Sequence, residues 1–338
     1  MTEDPLREEE WVRRAAAVFD RSARGVLDLT SDKTDVAVFL HGILSSAVKA
    51  LSPGSGQPSC FLSPKGKLIA AFHLYSLPGG RFRMVFPEPL REAAVKALRK
   101  YAFLGDVAVT DRALDLAIIS VEGSLAADVL EAAARRKDLP RAPHELRSLD
   151  LAGVEVTAAR AGESPEGGFD LWVPRDSLDG ARSRLVEAAR EAGGGEGGAA
   201  AAETLRVEAG MAHHGKDYDE ESFPNEVGWE HALTYDKCYV GQEVVARIRT
   251  YGHTNRKLMG LILASSRVPE RGAPIQAAGE EAGKVTSGVF SSRLGSAIAL
   301  GFLKRKFWGV EEATIDPDGE RVAARVVELP IVRIGSHR

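Results

Sequence analysis

The pattern of hydrophobic positions along the chain changes near residue 256. Up to about residue 250, short runs of alternating apolar and polar residues stand between segments whose apolar residues recur every three or four positions. The alternating runs predict strands and the other segments predict helices, in a mixed order that indicates an α+β fold. The predicted strands are 25–30, 65–77, 81–89, 113–123, 153–160 and 168–174, and the predicted helices are 34–51, 90–103, 125–136 and 178–193.

Several boundaries in this first region have signals of their own. A hairpin turn is predicted at 78–80, where proline precedes two glycines, and Ser124 is the predicted N-cap of the helix that follows it. The low-complexity stretch 193–202 predicts a flexible loop between two helical segments. An amphipathic N-terminal helix is predicted from the spacing of Trp11, Val12, Ala15, Val18 and Phe19.

Beyond residue 256 the helical spacing fades. Short apolar runs separated by turn residues predict a small all-β barrel or sandwich of about 80 residues. The predicted domains are therefore 1–250, an α+β region, and 251–338, a β domain.

Composition narrows the class of protein. The chain is 44% hydrophobic and 27% charged with a formal net charge of -4, which is typical of a globular protein and excludes a strongly basic surface over the whole molecule. No apolar run reaches the roughly 18 residues of a membrane span, and the charged N-terminus does not predict a secretory signal. Two cysteines, Cys60 and Cys238, are too few for a disulfide scaffold and favour a reducing, cytoplasmic setting.

Candidate chemistry concentrates in "YDKCYVGQEVV" (235–245). Cys238 follows Lys237 on a predicted loop just before a helix with Glu243 in its first turn and Gly252 at its end. A neighbouring cation and a helix N-terminus both favour the thiolate form of cysteine, the form that acts as a nucleophile, a metal ligand or a redox group. A buried packing role is the alternative, and it is the one we favour for Cys60.

Two further clusters have solvated surface as their preferred interpretation. Arg247, Arg249, Arg256 and Lys257 form a basic stretch whose alternative roles are contact with a polyglutamate tail or with RNA phosphates. His213 and His214 have no recognised metal-ligand spacing, so no metal site is predicted.

Residues 205–261 resemble the folate-binding YgfZ family, which belongs with the glycine-cleavage T-protein (aminomethyltransferase) superfamily. The family hallmark is K-G-C-Y-x-G-Q-E, matched here by Tyr239, Gly241, Gln242 and Glu243 after the cysteine. Further similar segments extend the resemblance from about residue 25 to 330. The chain departs from the family where Lys237 stands directly before Cys238, either because the motif glycine is deleted or because Lys237 replaces it, and where Ser46-Ala47 replaces an Asn-Asp pair.

The resemblance implies a fold and a ligand. The fold is a ring-like arrangement of two ferredoxin-like α/β portions followed by a C-terminal β-barrel. The ligand is tetrahydrofolate or a derivative. Asp170 matches the position of a pterin-binding glutamate, Arg206 matches a family arginine, and Lys237 lies near another basic position, so the last two are expected to bind the anionic glutamate tail.

The resemblance also bears on activity. Aminomethyltransferases carry paired aspartates where this chain has Ala70 and Ala71, and alanine neither accepts nor donates a proton. YgfZ relatives support assembly or repair of iron–sulfur proteins, including enzymes of tRNA modification. The sequence therefore predicts a folate-binding protein of iron–sulfur maintenance that uses a reactive Cys238, with iron–sulfur client or assembly proteins as partners and no direct RNA contact. A folate-dependent aminomethyl or one-carbon transferase is the alternative, and a cysteine hydrolase is a third interpretation.

Overall fold

A computed structural model describes residues 4–252, 254–316 and 321–334 of the chain. It contains two open sheets and a closed β-barrel. The first sheet has the strand order β3-β4-β5-β2-β6 and the second has the order β11-β1-β7-β10-β9-β8. The strands of these two sheets are β1 Ala17–Asp20, β2 Gly25–Thr30, β3 Ser55–Leu62, β4 Leu68–Leu77, β5 Arg81–Phe86, β6 Ala108–Asp111, β7 Leu116–Glu122, β8 Leu146–Leu151, β9 Val154–Ala159, β10 Gly168–Pro174 and β11 Gly195–Glu196.

Helices cover one side of each open sheet, and the barrel follows the last helix. The barrel closes in the order β12-β15-β14-β13-β16-β17. The helices are α1 Pro5–Arg14, α2 Val36–Ile43, α3 Arg91–Gly105, α4 Ala126–Ala134, α5 Leu178–Glu191, α6 Ala199–Glu208 and α7 Gln242–Tyr251, and the barrel strands are β12 Arg256–Leu263, β13 Pro274–Ala277, β14 Glu280–Ser291, β15 Ser296–Lys304, β16 Glu312–Ile315 and β17 Val322–Val327.

Successive side chains of a strand point to opposite faces of its sheet. In each open sheet, one set of side chains therefore faces the helices and the other set faces the opposite sheet. On β4, Ala70, Phe72 and Leu74 pack in the core below α2 and α3. The alternate residue Tyr75 packs against Trp172 of β10, with ring centroids 4.9 Å apart. The two sheets therefore face each other across an apolar layer. The polar residues on these two facing surfaces lie beside that layer.

The barrel packs against the first sheet through a mixed core. Leu62 and Leu68 of the first sheet share this core with Leu258, Ile298 and Leu300 of the barrel. The predicted α+β fold with a C-terminal β-barrel is confirmed. Within the described ranges, no helix combines the length and apolar content that crossing a bilayer requires.

Three predicted element boundaries are wrong. Helix α1 ends at Arg14, and Val18 and Phe19 belong to β1, so two elements together produce the apolar spacing read as one helix. Helix α2 ends at Ile43 instead of reaching residue 51, because the backbone turns extended at Leu44 and the Ser45 N–H donates to Cys60 of β3. Leu125, without a side-chain cap, precedes α4 in place of Ser124.

The glycine-rich stretch 193–202 is ordered rather than a flexible loop. It forms the parallel strand β11 beside β1 and then begins α6. A Cβ added at Gly194 would lie 1.9 Å from the Ala16 carbonyl oxygen, and one at Gly197 would lie 2.2 Å from the Phe19 ring. Glycine is needed here because the backbone approaches its neighbours closely, and low complexity alone does not report that packing.

Candidate functional site

Asp170 lies on the face of β10 that points toward the first sheet. It is only 4% exposed, so Asp170 is not a solvent-facing residue of this strand. One carboxylate oxygen accepts from the Ser120 hydroxyl and the other accepts from Arg24 at 2.6 Å. Because a carboxylate has about four acceptor positions, each oxygen retains capacity for a further donor.

Arg24 joins Asp170 to a second carboxylate, that of the half-buried Glu163. Its other terminal nitrogen lies 2.7 Å from Glu163. Burial alone would lower the pKa of Arg24, but Asp170 and Glu163 raise it overall. Burial alone would raise the pKa of Glu163, but Arg24 and His213 hold this pKa well below its usual range. Glu163 is therefore a carboxylate at neutral pH and has no proton to donate.

Imidazole and aromatic rings lie beside these charges. The ring of His73 on β4 is 4.6 Å from His144 and 6.0 Å from Trp229, which stacks on His231 at 5.6 Å. Burial, reinforced by His144 and Arg24 and opposed by Glu163, lowers the pKa of His73 to about 3. His73 is therefore neutral at physiological pH. We call Arg24, His73, His144, Glu163 and Asp170 the central cluster.

One buried polar atom of the central cluster lacks a hydrogen-bond partner among the described residues. Nδ1 of His144 is buried and makes no hydrogen bond within the described residues. The same residue has φ +59, a conformation that is uncommon for a residue with a side chain. A buried imidazole nitrogen without a partner is costly, and a polar ligand beside the cluster would satisfy it. The donor and acceptor set thus fits a ring that offers both hydrogen-bond donors and a flat face.

The two alanines on β4 occupy different environments. Ala70 packs in the core with the helices, whereas Ala71 faces the barrel side and pairs in register with Cys60. Both alanines are buried. At both positions where the family resemblance places acids, this strand therefore carries only a buried methyl group.

Arg206 is buried in α6, with 1% of its surface exposed, and is not a solvated helix charge. Its five N–H donors make five hydrogen bonds, two to Glu203 and one each to Asp217, the Met211 carbonyl and Ser287. Its binding of a folate tail stays a prediction, and would require one of these bonds to be exchanged. A cavity of about 450 Å³ lies against this residue, and Glu163 also lines it.

Asp217 is the centre of the same network. Besides Arg206, it accepts hydrogen bonds from the His213 N–H at 3.0 Å, from Thr286 at 2.6 Å and from Ser287 at 2.7 Å. Its partners come from α6, from the loop after α6 and from β14. This carboxylate therefore joins the α+β region to the barrel.

Cys238 is exposed on the loop before α7, and Cys60 is buried. Burial raises the pKa of the Cys60 thiol to about 12, against an opposing hydrogen bond with Ser45, so Cys60 has the predicted packing role. Within the described ranges the Cys238 sulfur makes no hydrogen bond, and no His–Asp pair accompanies it. That arrangement does not favour a cysteine hydrolase.

The motif residues after Cys238 fix the loop. Tyr239 is buried, and Gln242 donates back to the Tyr235 carbonyl at 3.2 Å. Gly241 has φ +82, and a Cβ there would lie 2.4 Å from the Ser63 carbonyl oxygen, which explains why this position requires glycine. Glu243 lies in the first turn of α7 as predicted and pairs with Arg247 on the surface.

Lys237 accommodates the departure from the family motif without strain. It is absent from the residues with positive φ, so this position does not need glycine. Its amino group donates to the carbonyls of His41 and Leu44 at the end of α2 and lies 4.7 Å from the Tyr239 ring. Burial lowers the pKa of Lys237 to about 8, with Cys238 opposing the change. Two of its three N–H donors are thus engaged, and its predicted role in folate binding stays a prediction.

The basic stretch has local partners. Arg249 stacks on Tyr235, Arg256 pairs with Glu226, and Lys257 pairs with Glu328. Since these cations are matched by neighbours, the structure gives no support to an RNA or polyglutamate surface. Among residues 4–252, 254–316 and 321–334, no group of three or more His, Cys, Asp and Glu side chains is arranged to hold a metal ion.

Sequence reasoning missed most of the central cluster. Arg24 and Asp170 are separated by 146 positions, and no local motif connects them. His73 is two positions from Ala71 and therefore lies on the same face of β4, and this strand period is the one signal that identifies it as inward-facing.

Comparison with known proteins identifies the family. The GCVT N-terminal domain matches residues 1–237, and the glycine cleavage T-protein C-terminal barrel domain matches residues 256–332. The Aminomethyltransferase of Stenotrophomonas maltophilia (strain K279a) is 35% identical over 98% of this chain and 88% of its own length. The Aminomethyltransferase of Xanthomonas axonopodis pv. citri (strain 306) is 32% identical over 98% of this chain and 89% of its own length.

A solved structure agrees on the fold. The glycine cleavage system aminomethyltransferase T from Bartonella henselae superposes with a TM-score of 0.86 at 24% identity, over 97% of this chain and 89% of that one. The superfamily part of the predicted resemblance is confirmed, and tetrahydrofolate, the predicted cofactor, is the substrate or cofactor of that family. The chain belongs to the glycine cleavage T-protein family.

Proposed function

We propose that this protein binds tetrahydrofolate beside the central cluster and, in the cytoplasm, supports the assembly or repair of iron–sulfur proteins through the Cys238 thiol, as YgfZ-type proteins do. Its clients would include enzymes of tRNA modification. Aminomethyl transfer is not part of this function. The observation that carries the proposal is the combination of a buried, ligand-compatible cluster around Asp170 with a methyl group at Ala71 and an exposed, well-anchored thiol.

The central cluster supports a pterin ring in chemical terms. The pterin offers an N3–H and a 2-amino group as adjacent donors, and the two oxygens of Asp170 have acceptor capacity left beside Arg24 and Ser120. The rings of His73, His144 and Trp229 offer flat faces, and the free Nδ1 of His144 offers a further polar contact.

Replacing Asp170 with asparagine is expected to weaken tetrahydrofolate binding. The amide keeps the shape of the side chain but turns one acceptor into a donor that opposes the pterin N–H groups. Loss of a hydrogen bond to a charged group corresponds to roughly a 10- to 150-fold increase in Kd. Isothermal titration with tetrahydrofolate under anaerobic conditions measures it.

Asp28 supplies the matched control for that experiment. It is a buried carboxylate of β2 that pairs at 2.6 Å with Arg83 on the neighbouring strand β5 of the first sheet. Asp28→Asn therefore imposes a comparable loss of a buried ion pair without touching the central cluster, and its Kd should match that of the wild type. An Asp170→Asn variant that binds tetrahydrofolate as tightly as the wild type would remove the pterin assignment.

Aminomethyl transfer is the second candidate, because relatives of 31–35% identity carry the name Aminomethyltransferase. The side chains near the cluster argue against it. Ala71 has no ionisable group, and Glu163 is held as a carboxylate by Arg24 and His213, with a pKa well below its usual range. Neither can serve as a proton donor at the folate nitrogens.

The test of this second candidate is a direct assay with tetrahydrofolate and an aminomethylated lipoyl carrier protein. We expect no methylene-tetrahydrofolate above background, with the Bartonella henselae aminomethyltransferase T as the positive control. Sustained turnover by this chain would establish the transferase and overturn the proposal.

The role of Cys238 is tested in a strain that lacks the chromosomal gene. Cys238→Ser should fail to restore the activity of iron–sulfur enzymes, because a hydroxyl is a far weaker nucleophile and metal ligand than a thiolate. Cys60→Ala is the control, since Cys60 is a buried packing residue, and it should restore activity. Full restoration by Cys238→Ser would exclude a function of the thiol.

A further inference from the structure

The segment 229–242 runs from the central cluster to the exposed thiol, and we call it the strap. Trp229 at its beginning lies 6.0 Å from His73 and stacks on His231. Its last residue begins α7, four positions after Cys238. The strap is therefore a short covalent connection between the proposed folate site and the proposed reactive group.

Ser45 holds the middle of the strap. Its hydroxyl donates to the Ala232 carbonyl at 2.7 Å, and its carbonyl accepts from the Thr234 N–H at 2.9 Å. The same hydroxyl accepts from the Cys60 N–H at 2.9 Å, so the strap is fixed to the first sheet. These bonds are buried and leave the strap little freedom between Trp229 and Thr234.

Lys237 holds the strap next to the thiol. Its ammonium group donates to His41 and Leu44 at the C-terminus of α2, where the helix dipole favours a positive charge. On the other side of Cys238, Tyr239 is buried in the core between the first sheet and the barrel. Both neighbours of Cys238 are therefore turned inward, and the thiol between them is turned outward.

We propose that Lys237 is a positioning residue for Cys238, and that through it the strap makes the reactivity of the thiol depend on folate binding beside Trp229. This inference rests on the proposed function. A ligand shifts such an element only through contacts that differ between its arrangements, and Trp229 is the strap side chain that a ring beside His73 would contact. Such coupling between two sites is reciprocal for equilibrium affinities, so a modification of Cys238 that changes the arrangement of the strap should also change the affinity for folate.

The first experiment measures the alkylation of Cys238 by iodoacetamide in the full-length protein, with the modified peptide identified by mass spectrometry. Buried Cys60 serves as the unreactive internal reference. Saturating 5-formyltetrahydrofolate is the probe, because it resists oxidation. We expect the rate constant to change by at least about fivefold on folate binding, and the carbamidomethylated protein to differ from the unmodified protein in its Kd for folate.

Substitutions at Lys237 separate positioning from general stability. Lys237→Met, measured at folate concentrations that saturate the variant, should show equal rates with and without folate, and Lys237→Arg, which keeps the charge and the donors, should restore the difference. Lys49→Met is the matched control. Lys49 is an exposed lysine near the same helix end whose amino group makes no hydrogen bond or ion pair with the described residues, and this variant should behave as the wild type.

A second measurement does not depend on folate. Amide hydrogen exchange over residues 235–242 should accelerate by at least about tenfold in Lys237→Met, while the core strands keep their protection. Unchanged exchange in that segment would overturn the positioning role.

The remaining outcomes are distinct. Wild-type protein that binds folate without any change in the alkylation rate overturns the coupling and leaves the folate assignment intact. A Lys237→Met variant that no longer binds folate makes Lys237 a ligand residue and overturns its positioning role. Wild-type protein that binds no folate overturns the proposed function and the coupling together.

Discussion

Replacement of Arg206 with methionine is expected to lower the free energy of unfolding by about 3–5 kcal/mol, the usual cost of removing one partner from a buried ion pair. Methionine keeps much of the volume but removes all five donors of the guanidinium. Asp217, whose side chain is fully buried, would then be left with an uncompensated charge. Arg206→Lys should recover little of the loss, since lysine cannot reproduce the planar fork of donors.

Lys216 provides the control for this prediction, because it pairs with Glu203, the same carboxylate that Arg206 contacts. Its side chain is 52% exposed, so Lys216→Met should cost at most about 1 kcal/mol. Urea unfolding followed by circular dichroism measures both variants. An Arg206→Met protein of unchanged stability but lost tetrahydrofolate affinity would show instead that Arg206 serves the ligand, as its family position implies.

Acid sensitivity is the second large effect expected, and it originates in His73. Its pKa is about 3 in the folded protein, against about 6.5 for an unperturbed histidine. Between these values the unfolded chain binds more protons than the folded one, so stability falls as the pH falls. From pH 7 to pH 4 this single group should remove about 3 kcal/mol. His144, whose pKa is also lowered by burial, acts in the same direction.

The comparison of His73→Gln with the wild type isolates this contribution. The variant should lose about 3 kcal/mol less than the wild type between pH 7 and pH 4, measured by urea unfolding at each pH. His231→Gln removes an exposed imidazole at the other end of the ring stack and should leave the wild-type pH dependence in place. Equal pH dependence of His73→Gln and wild type would contradict a neutral, half-buried His73.

Strand periodicity and turn residues were sufficient to predict much of the fold. β2, β4, β5, β9 and β10 follow their alternating runs, because each strand buries one face against helices or the opposite sheet. Helix α2 shows the limit of this reasoning. Its apolar spacing continues past Ile43, but the buried hydrogen bonds of Ser45 to β3 and to the strap outweigh the local preference for helix.

The site was predictable where a motif is contiguous and not where it is assembled from distant segments. The loop around Cys238, the start of α7 and the glycine at 241 follow from adjacent residues. The burial of Arg206 depends on Ser287, which is 81 positions away in the barrel, and the environment of Asp170 depends on Arg24. The spacing of residues in one sequence does not show which distant residues will pair. Charged residues with distant partners are therefore predicted to be solvated.

The carboxylate of Asp217 has a consequence for how the chain folds. Its four hydrogen bonds come from α6, from the following loop and from β14, and the apolar core beside it combines the first sheet with the barrel. Neither region can bury these groups alone. The boundary near residue 250 therefore separates two architectures but not two cooperative folding units. The barrel supplies part of the core that the α+β region needs in order to fold.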